Sequence, residues 1–171
     1  MSDFVGEREE LEGAESHAFL LQRVQPALAG LMDGSLSTIA PIFAVVLATH
    51  KPHYAFIAGL ASAIAAGVSM AYSEGLSDTG ELTGRGHPAV RGAITGVGTF
   101  LGGILHTLPF LIPHYHAALV AAVIVVGVEM VGLAWIRWRF FGAHFAKSLA
   151  WIMLAAAIIV VVSGALGNAA G

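Results

Sequence analysis

The chain has 171 residues, of which 57% are hydrophobic and only 11% charged, with a mean hydropathy of +0.79 and no cysteine. A soluble globular domain has about 25% charged residues, so this composition predicts a protein whose surface faces lipid. The net charge of −3 excludes a basic nucleic-acid-binding surface. The lack of cysteine excludes disulfides, iron–sulfur clusters and thiolate metal sites.

Residues 1–25 differ in composition from the rest of the chain. They contain six acidic residues and two arginines, with few large apolar side chains. A secretory signal begins with basic residues, so this acidic start does not predict one. We interpret residues 1–25 as an acidic amphipathic cytoplasmic segment along the membrane, and residues 26–171 as a single membrane domain.

Five stretches of the domain are long and apolar enough to cross a bilayer as helices, which requires roughly 20 residues each. Polar or proline-containing segments separate them. Strands of a membrane barrel would be about ten residues long and would alternate in polarity, which these stretches do not. The sequence therefore predicts an all-α membrane protein with five transmembrane helices. We place them at 27–49, 54–76, 91–112, 117–136 and 146–167.

Basic residues predict the orientation, since cytoplasmic loops are enriched in lysine and arginine. With the N-terminus in the cytoplasm, Lys51 is the only one of the eight basic residues on the far side. We therefore predict a cytoplasmic N-terminus and a C-terminus on the far side.

Pairs of glycines four residues apart occur in the first and third spans. This spacing allows close helix approach in lipid, either within one subunit or at a dimer contact, and the sequence leaves both open. The pairs are Gly30 and Gly34, Gly92 and Gly96, and Gly98 and Gly102.

Three acids lie within the predicted spans: Asp33, Glu74 and Glu129. Each costs on the order of 2.5–3.5 kcal/mol near a helix centre, and such residues usually face a cavity, a partner or an ion path. All three lie in the cytoplasmic third of the bilayer, so we expect the helices to bring them to one cavity. Met70 lies one turn before Glu74, and a thioether with carboxylates suits Fe²⁺ better than Mg²⁺ or Ca²⁺. We therefore predict Asp33, Met70, Glu74 and Glu129 as metal ligands.

Each ligand except Asp33 has a strong structural alternative. Met70 could simply pack, Glu74 could be a solvated acid at a helix end, and Glu129 could pair with Arg91 or Arg137. Asp33 is harder to explain structurally, because serines, a threonine and Pro41 follow it and leave backbone carbonyls available near the carboxylate.

Histidines concentrate toward the predicted far side. Imidazole binds divalent metals and changes charge near neutral pH, so they are candidate exit or proton sites. Solvated loop histidines are the simpler alternative. Four lie in loops and one within the third span: His50, His53, His114, His116 and His106.

Two motifs resemble the vacuolar iron transporter family. They are Leu31–Met32–Asp33–Gly34 in the first span and the run from Gly67 to Glu74, which contains Ser69–Met70 and ends the second span. The resemblance implies a homodimer with its ion path along the dimer interface, lined by Asp33 and Met70. It also implies that Fe²⁺, or Mn²⁺, leaves the cytoplasm in exchange for protons.

The chain departs from the plant and fungal members of that family, which have a long glutamate-rich insertion between the second and third spans. Here residues 77–88 contain only two acids. The chain is more similar to bacterial membrane-bound ferritin-type proteins, but lacks their ferritin-like domain. It is either a standalone membrane unit or the membrane half of a longer protein. We expect a bacterial cytoplasmic membrane, with the vacuolar membrane as the alternative.

The sequence thus predicts a transporter that exports Fe²⁺, or Mn²⁺, by proton exchange, with the ion as cargo and no tightly bound cofactor. The alternative is a membrane anchor or assembly subunit whose intramembrane acids are structural. An enzyme is not expected, because HExxH and GxSxG motifs and a cysteine nucleophile are missing from the sequence.

Overall fold

A computed structural model describes the backbone of residues 2–170 and the side chains of residues 11–169. This part of the chain consists of helices joined by turns and short loops and contains no strand. Five helices are long and apolar enough to cross a membrane, which confirms the predicted all-α class and number of spans. The helices are α1 (Ser2–Phe19), α2 (Gln25–Thr49), α3 (Pro52–Gly75), α4 (Pro88–Leu105), α5 (Tyr115–Phe141) and α6 (Phe145–Ala170).

The N-terminal segment and the first span form one continuous helical rod. A π-helical turn at Leu20–Val24 joins α1 to α2 without a break. The side chains of residues 11–17 are exposed, whereas buried residues become frequent from Pro26 onward. The change in composition near residue 25 therefore coincides with a change in burial along the continuous helix formed by α1, the π-helical turn and α2. The side chains of residues 1–10, which carry four of the predicted acids, lie outside the described residues.

The third span is shorter than predicted. Helix α4 ends at Leu105 instead of residue 112, and a 3₁₀ turn follows at Leu108–Leu111. Pro109 lies in this turn, and proline cannot donate a backbone hydrogen bond to a continuing helix. An 18-residue helix is about 27 Å long, slightly less than the roughly 30 Å thickness of the hydrocarbon core. The 3₁₀ turn and the residues after it cover the remaining distance.

Helix α4 packs between α2 and α3, and glycines allow the close approach. A side chain at Gly30 or Gly34 would collide with the backbone of α4 at Thr95 or Thr99. The glycines of α4 likewise leave room for neighbouring helices. Gly98 and Gly102 face α2, while Gly92 and Gly96 face α3. All three glycine pairs therefore serve packing within the chain, which was one of the two alternatives.

Helix α6 packs against α2, and α5 packs against α6 and the 3₁₀ turn. The buried apolar core joins α2 to α5 and α6 through Ile39, Phe43, Met130 and Ile152. Large apolar side chains on the outer faces remain exposed, among them Ile124 on α5. An apolar exterior around a core that also contains polar groups is the pattern expected in lipid.

Candidate functional site

Asp33 lies on α2, about 12 Å along the helix from its first residue. The side chain is half-buried and makes no hydrogen bond or ion pair with any described residue. One turn further, Ser37 is exposed on the same side of the helix. Pro41 continues the helix but has no N–H to donate to the carbonyl of Ser37. Asp33 and Ser37 therefore offer carboxylate, hydroxyl and carbonyl oxygens on one side of α2.

Glu74, at the end of α3, is tied to a buried arginine. Nε of Arg91 donates to Oε1 of Glu74 at 2.5 Å, and Nη2 of Arg91 donates to the Glu74 carbonyl at 3.1 Å. The Arg91 side chain is only 1% exposed. Arg91 lies in the first turn of α4, so this pair joins the adjacent ends of α3 and α4. The ion pair shows that Glu74 is not simply a solvated helix-end acid, and its role as a metal ligand stays a prediction.

The loop between α3 and α4 extends the network. Arg85 donates to Oε1 of Glu74 at 2.7 Å and to Oδ2 of Asp78 at 3.2 Å, while Nη2 of Arg91 donates to Oγ of Ser77 at 3.1 Å. Loss of hydration alone would raise the pKa of Asp78. Hydrogen bonds from Thr83 and the Gly80 backbone, together with the two guanidinium groups, outweigh it and hold this pKa below its usual value.

Glu129 has a different partner from those predicted. Its Oε2 lies 2.7 Å from Nδ1 of His106, so neither Arg91 nor Arg137 holds it. Nε2 of His106 lies 2.7 Å from Oγ1 of Thr38. The His106 side chain is 0% exposed and that of Glu129 is 8% exposed. Because α4 ends at Leu105, the ring of His106 can reach between the middle of α2 and the middle of α5.

Thr38 also bonds within its own helix. Its hydroxyl donates to the Gly34 carbonyl at 2.7 Å, which leaves the hydroxyl oxygen to accept from Nε2 of His106. Oε1 of Glu129 is buried without a partner in the described chain.

The structure does not bring the three intramembrane acids to one cavity. Asp33 is paired with no described residue, Glu74 joins the arginine network and Glu129 joins His106. Among the described residues, no three His, Asp or Glu side chains are grouped closely enough to hold a metal ion. Met70 is half-buried on α3.

The four loop histidines are exposed at the end of the bundle where α2 ends and α5 begins. His50 closes α2 in the left-handed conformation, with φ of 54°, and its ring lies 4.8 Å from that of Tyr115. The ring centroid of His116 lies 5.0 Å from that of the same tyrosine. His53 packs on Tyr54, and His114 precedes the first turn of α5. Their roles as exit or proton sites stay predictions.

The sequence analysis did not identify three residues that belong to these networks: Thr38, Asp78 and Arg85. Thr38 had only one available signal, its place in the polar run after Asp33. Asp78 and Arg85 belong to a short loop, where charged residues are usually solvated, and no pattern marks them as partners of a span residue.

Comparison with known proteins does not assign a family. No protein-family model, curated protein or solved structure matches the chain. The resemblance to vacuolar iron transporters consequently rests on the quoted motifs, and function has to be argued from the site itself.

Proposed function

We propose that this protein exports Fe²⁺ from the cytoplasm in exchange for protons, with Mn²⁺ as an alternative cargo. We propose further that it works as a homodimer in a bacterial cytoplasmic membrane, with the N-terminus inside. The observation that carries the proposal is Asp33, an ionisable side chain within an apolar helix that is paired with no described residue.

An unpaired carboxylate inside a membrane is costly in free energy, and binding a cation, a proton or water would lower that cost. Asp33 is half-buried, whereas Glu74 and Glu129 are held by other side chains. The oxygens of Ser37 lie one turn from Asp33 and are suitable partners for a cation passing along α2. We therefore centre the proposed path on Asp33 and leave Glu74 and Glu129 out of the ligand set.

A second copy of the chain would complete the site. The surface of α2 beside Asp33 consists of small side chains, including Ala29, Ser37 and Ala40, which allow another helix to approach closely. Two copies meeting there would place two carboxylates near one path. Met70 would add a thioether, which favours Fe²⁺ over Mg²⁺ or Ca²⁺.

Coupling to protons follows from the chemistry of the carboxylate. A carboxyl group binds a metal ion only when it is deprotonated, so a proton and Fe²⁺ compete for Asp33. A site that exchanges one for the other on opposite sides of the membrane would move them in opposite directions.

The membrane-anchor alternative also has a specific observation in its favour. Two of the three intramembrane acids, Glu74 and Glu129, have partners on neighbouring helices and so serve packing. If Asp33 serves only packing or assembly, removing it should change stability or oligomeric state and leave ion flux unaffected.

The test is Fe²⁺ uptake by proteoliposomes with an imposed pH gradient, with internal pH followed at the same time. Wild type is compared with Asp33→Asn, Met70→Leu and Glu81→Gln, the last replacing an exposed loop acid as the matched control. Circular dichroism and size-exclusion chromatography check that each variant is folded and has the wild-type oligomeric state.

We expect opposed Fe²⁺ and proton fluxes in wild type and in Glu81→Gln, with both fluxes lost in folded Asp33→Asn. Met70→Leu should retain Mn²⁺ flux better than Fe²⁺ flux, because the soft ligand is removed. A folded wild type that moves no divalent metal under any gradient would overturn the proposal in favour of the anchor.

A further inference from the structure

A cavity of about 460 Å³ opens where the loop between α5 and α6 meets α2. Three of its lining residues are basic or can become so, namely Arg137, His144 and Lys147, and a buried hydroxyl is provided by Ser148. None of the residues lining the cavity is acidic. The cavity therefore concentrates hydrogen-bond donors and positive charge.

Arg137 has no partner for its charge among the residues whose side chains the structure describes. Its Nε is buried and makes no hydrogen bond to a described residue, and no carboxylate of the described chain lies within ion-pair distance of Arg137 or Lys147. By contrast, Arg85 in the α3–α4 loop and Arg91 in α4 both have carboxylate partners. A buried donor without an acceptor costs free energy, and an anion in the cavity would satisfy it.

The rest of the cavity wall is apolar. Trp151, Ile152 and Ala155 follow Ser148 along one face of α6, and Met32 and Leu36 of α2 lie opposite. A smaller cavity of about 260 Å³ shares Met32 and Arg137 with the first. Donors at one end and apolar walls beyond them suit a molecule that has an anionic head and a hydrocarbon tail.

We propose that this cavity binds an anionic phospholipid, with its phosphate at Arg137 and Lys147 and an acyl chain along Trp151. Basic groups between transmembrane helices bind anionic headgroups in this way, and the face concerned is the one predicted to be cytoplasmic. A free phosphate ion would satisfy the donors but would leave the apolar wall unused. The proposal requires only that the chain spans a membrane, and it is independent of any ion transport.

Fluorescence quenching of Trp151 by brominated lipid tests the proposal. The protein carries Trp135→Phe and Trp138→Phe, so Trp151 is the only fluorophore of its kind, since the chain has three tryptophans. It is placed in phosphatidylcholine vesicles containing either brominated phosphatidylglycerol or brominated phosphatidylcholine. We compare this protein with versions that also carry Lys147→Gln or Arg137→Gln with Lys147→Gln. Arg139→Gln is the matched control, because Arg139 is an exposed basic residue of α5 that does not line the cavity.

Brominated phosphatidylglycerol should quench Trp151 more strongly than brominated phosphatidylcholine. The lipid preference should fall by about fivefold for each cavity base removed and stay unchanged in Arg139→Gln. Equal quenching by both lipids, or a preference that survives loss of both bases, would overturn the proposal. Loss of the preference when inorganic phosphate is added would assign the site to a soluble anion instead. Lys147→Gln alone gives a decisive result even if the double variant fails to fold, because Lys147 is exposed.

Discussion

Nδ1 of His106 lies 2.7 Å from Oε2 of Glu129, and this contact joins the end of α4 to the middle of α5 across the interior of the bundle. Thr38 extends the link to α2 through Nε2 of the same ring. Three helices are thus connected by one imidazole that is fully buried. Because neither ring nitrogen has another partner in the described chain, a substitution in this cluster should weaken the packing of all three helices.

Replacing His106 with leucine should lower the free energy of unfolding by about 1–3 kcal/mol, because Glu129 and Thr38 each lose a buried partner. Replacing Glu129 with leucine in the same protein should restore part of that loss, since no acid is then left unpaired. Denaturation in detergent micelles, followed by circular dichroism, measures both effects. Strictly additive losses in the double variant would show that the two side chains are not coupled.

Arg91→Met should cost about 1–3 kcal/mol of stability, because Glu74 then keeps only Arg85 as an ion-pair partner and the Glu74 carbonyl and the Ser77 hydroxyl lose their donor. Arg91→Lys should recover only part of this, since one ammonium cannot reproduce the several directions of the arginine donors. The thermal midpoint of each variant gives the comparison. Arg139→Met on the exposed side of α5 is the control and should change little.

Gly34→Ala should destabilise the protein by about 1–3 kcal/mol, because its methyl group would meet the backbone of Thr99 and force α2 away from α4. Gly127→Ala is the matched control, since no described atom beyond the backbone of its own helix turn lies within 4 Å of the added carbon there. Alanine is the better helix former, so this control should be neutral or slightly stabilising. Equal losses for the two variants would contradict the helix contact at Gly34.

The charge of Asp78 should make stability depend on pH in the acid range. Its pKa is lowered on folding, so its contribution is fully present above the unfolded value of about 3.9 and is lost as the pH falls through the folded value. The thermal midpoints of wild type and Asp78→Asn should differ at neutral pH and converge in acid. A difference that is the same at neutral and at acid pH would rule out this role for the carboxylate.

Much of the architecture could be predicted from the sequence because lipid imposes simple requirements. A helix that crosses hydrocarbon needs a long apolar run, so the length and number of such runs predict the all-α class and five candidate spans. The same rule fails where a helix stops inside the bundle. Hydropathy did not indicate that α4 ends at Leu105, because the apolar residues 108–112 suit a helix and a 3₁₀ turn equally. Pro109 was the one signal against a continuing helix.

The site was only partly accessible from the sequence. The cost of charge in lipid identified Asp33, Glu74 and Glu129 as residues that need an explanation, but depth along a helix does not determine the direction of a side chain. Which acid is paired depends on the rotation and packing of neighbouring helices. Only the tertiary structure decided that Arg91 holds Glu74, that His106 holds Glu129 and that Asp33 is paired with no described residue, because these contacts form between segments distant in the chain.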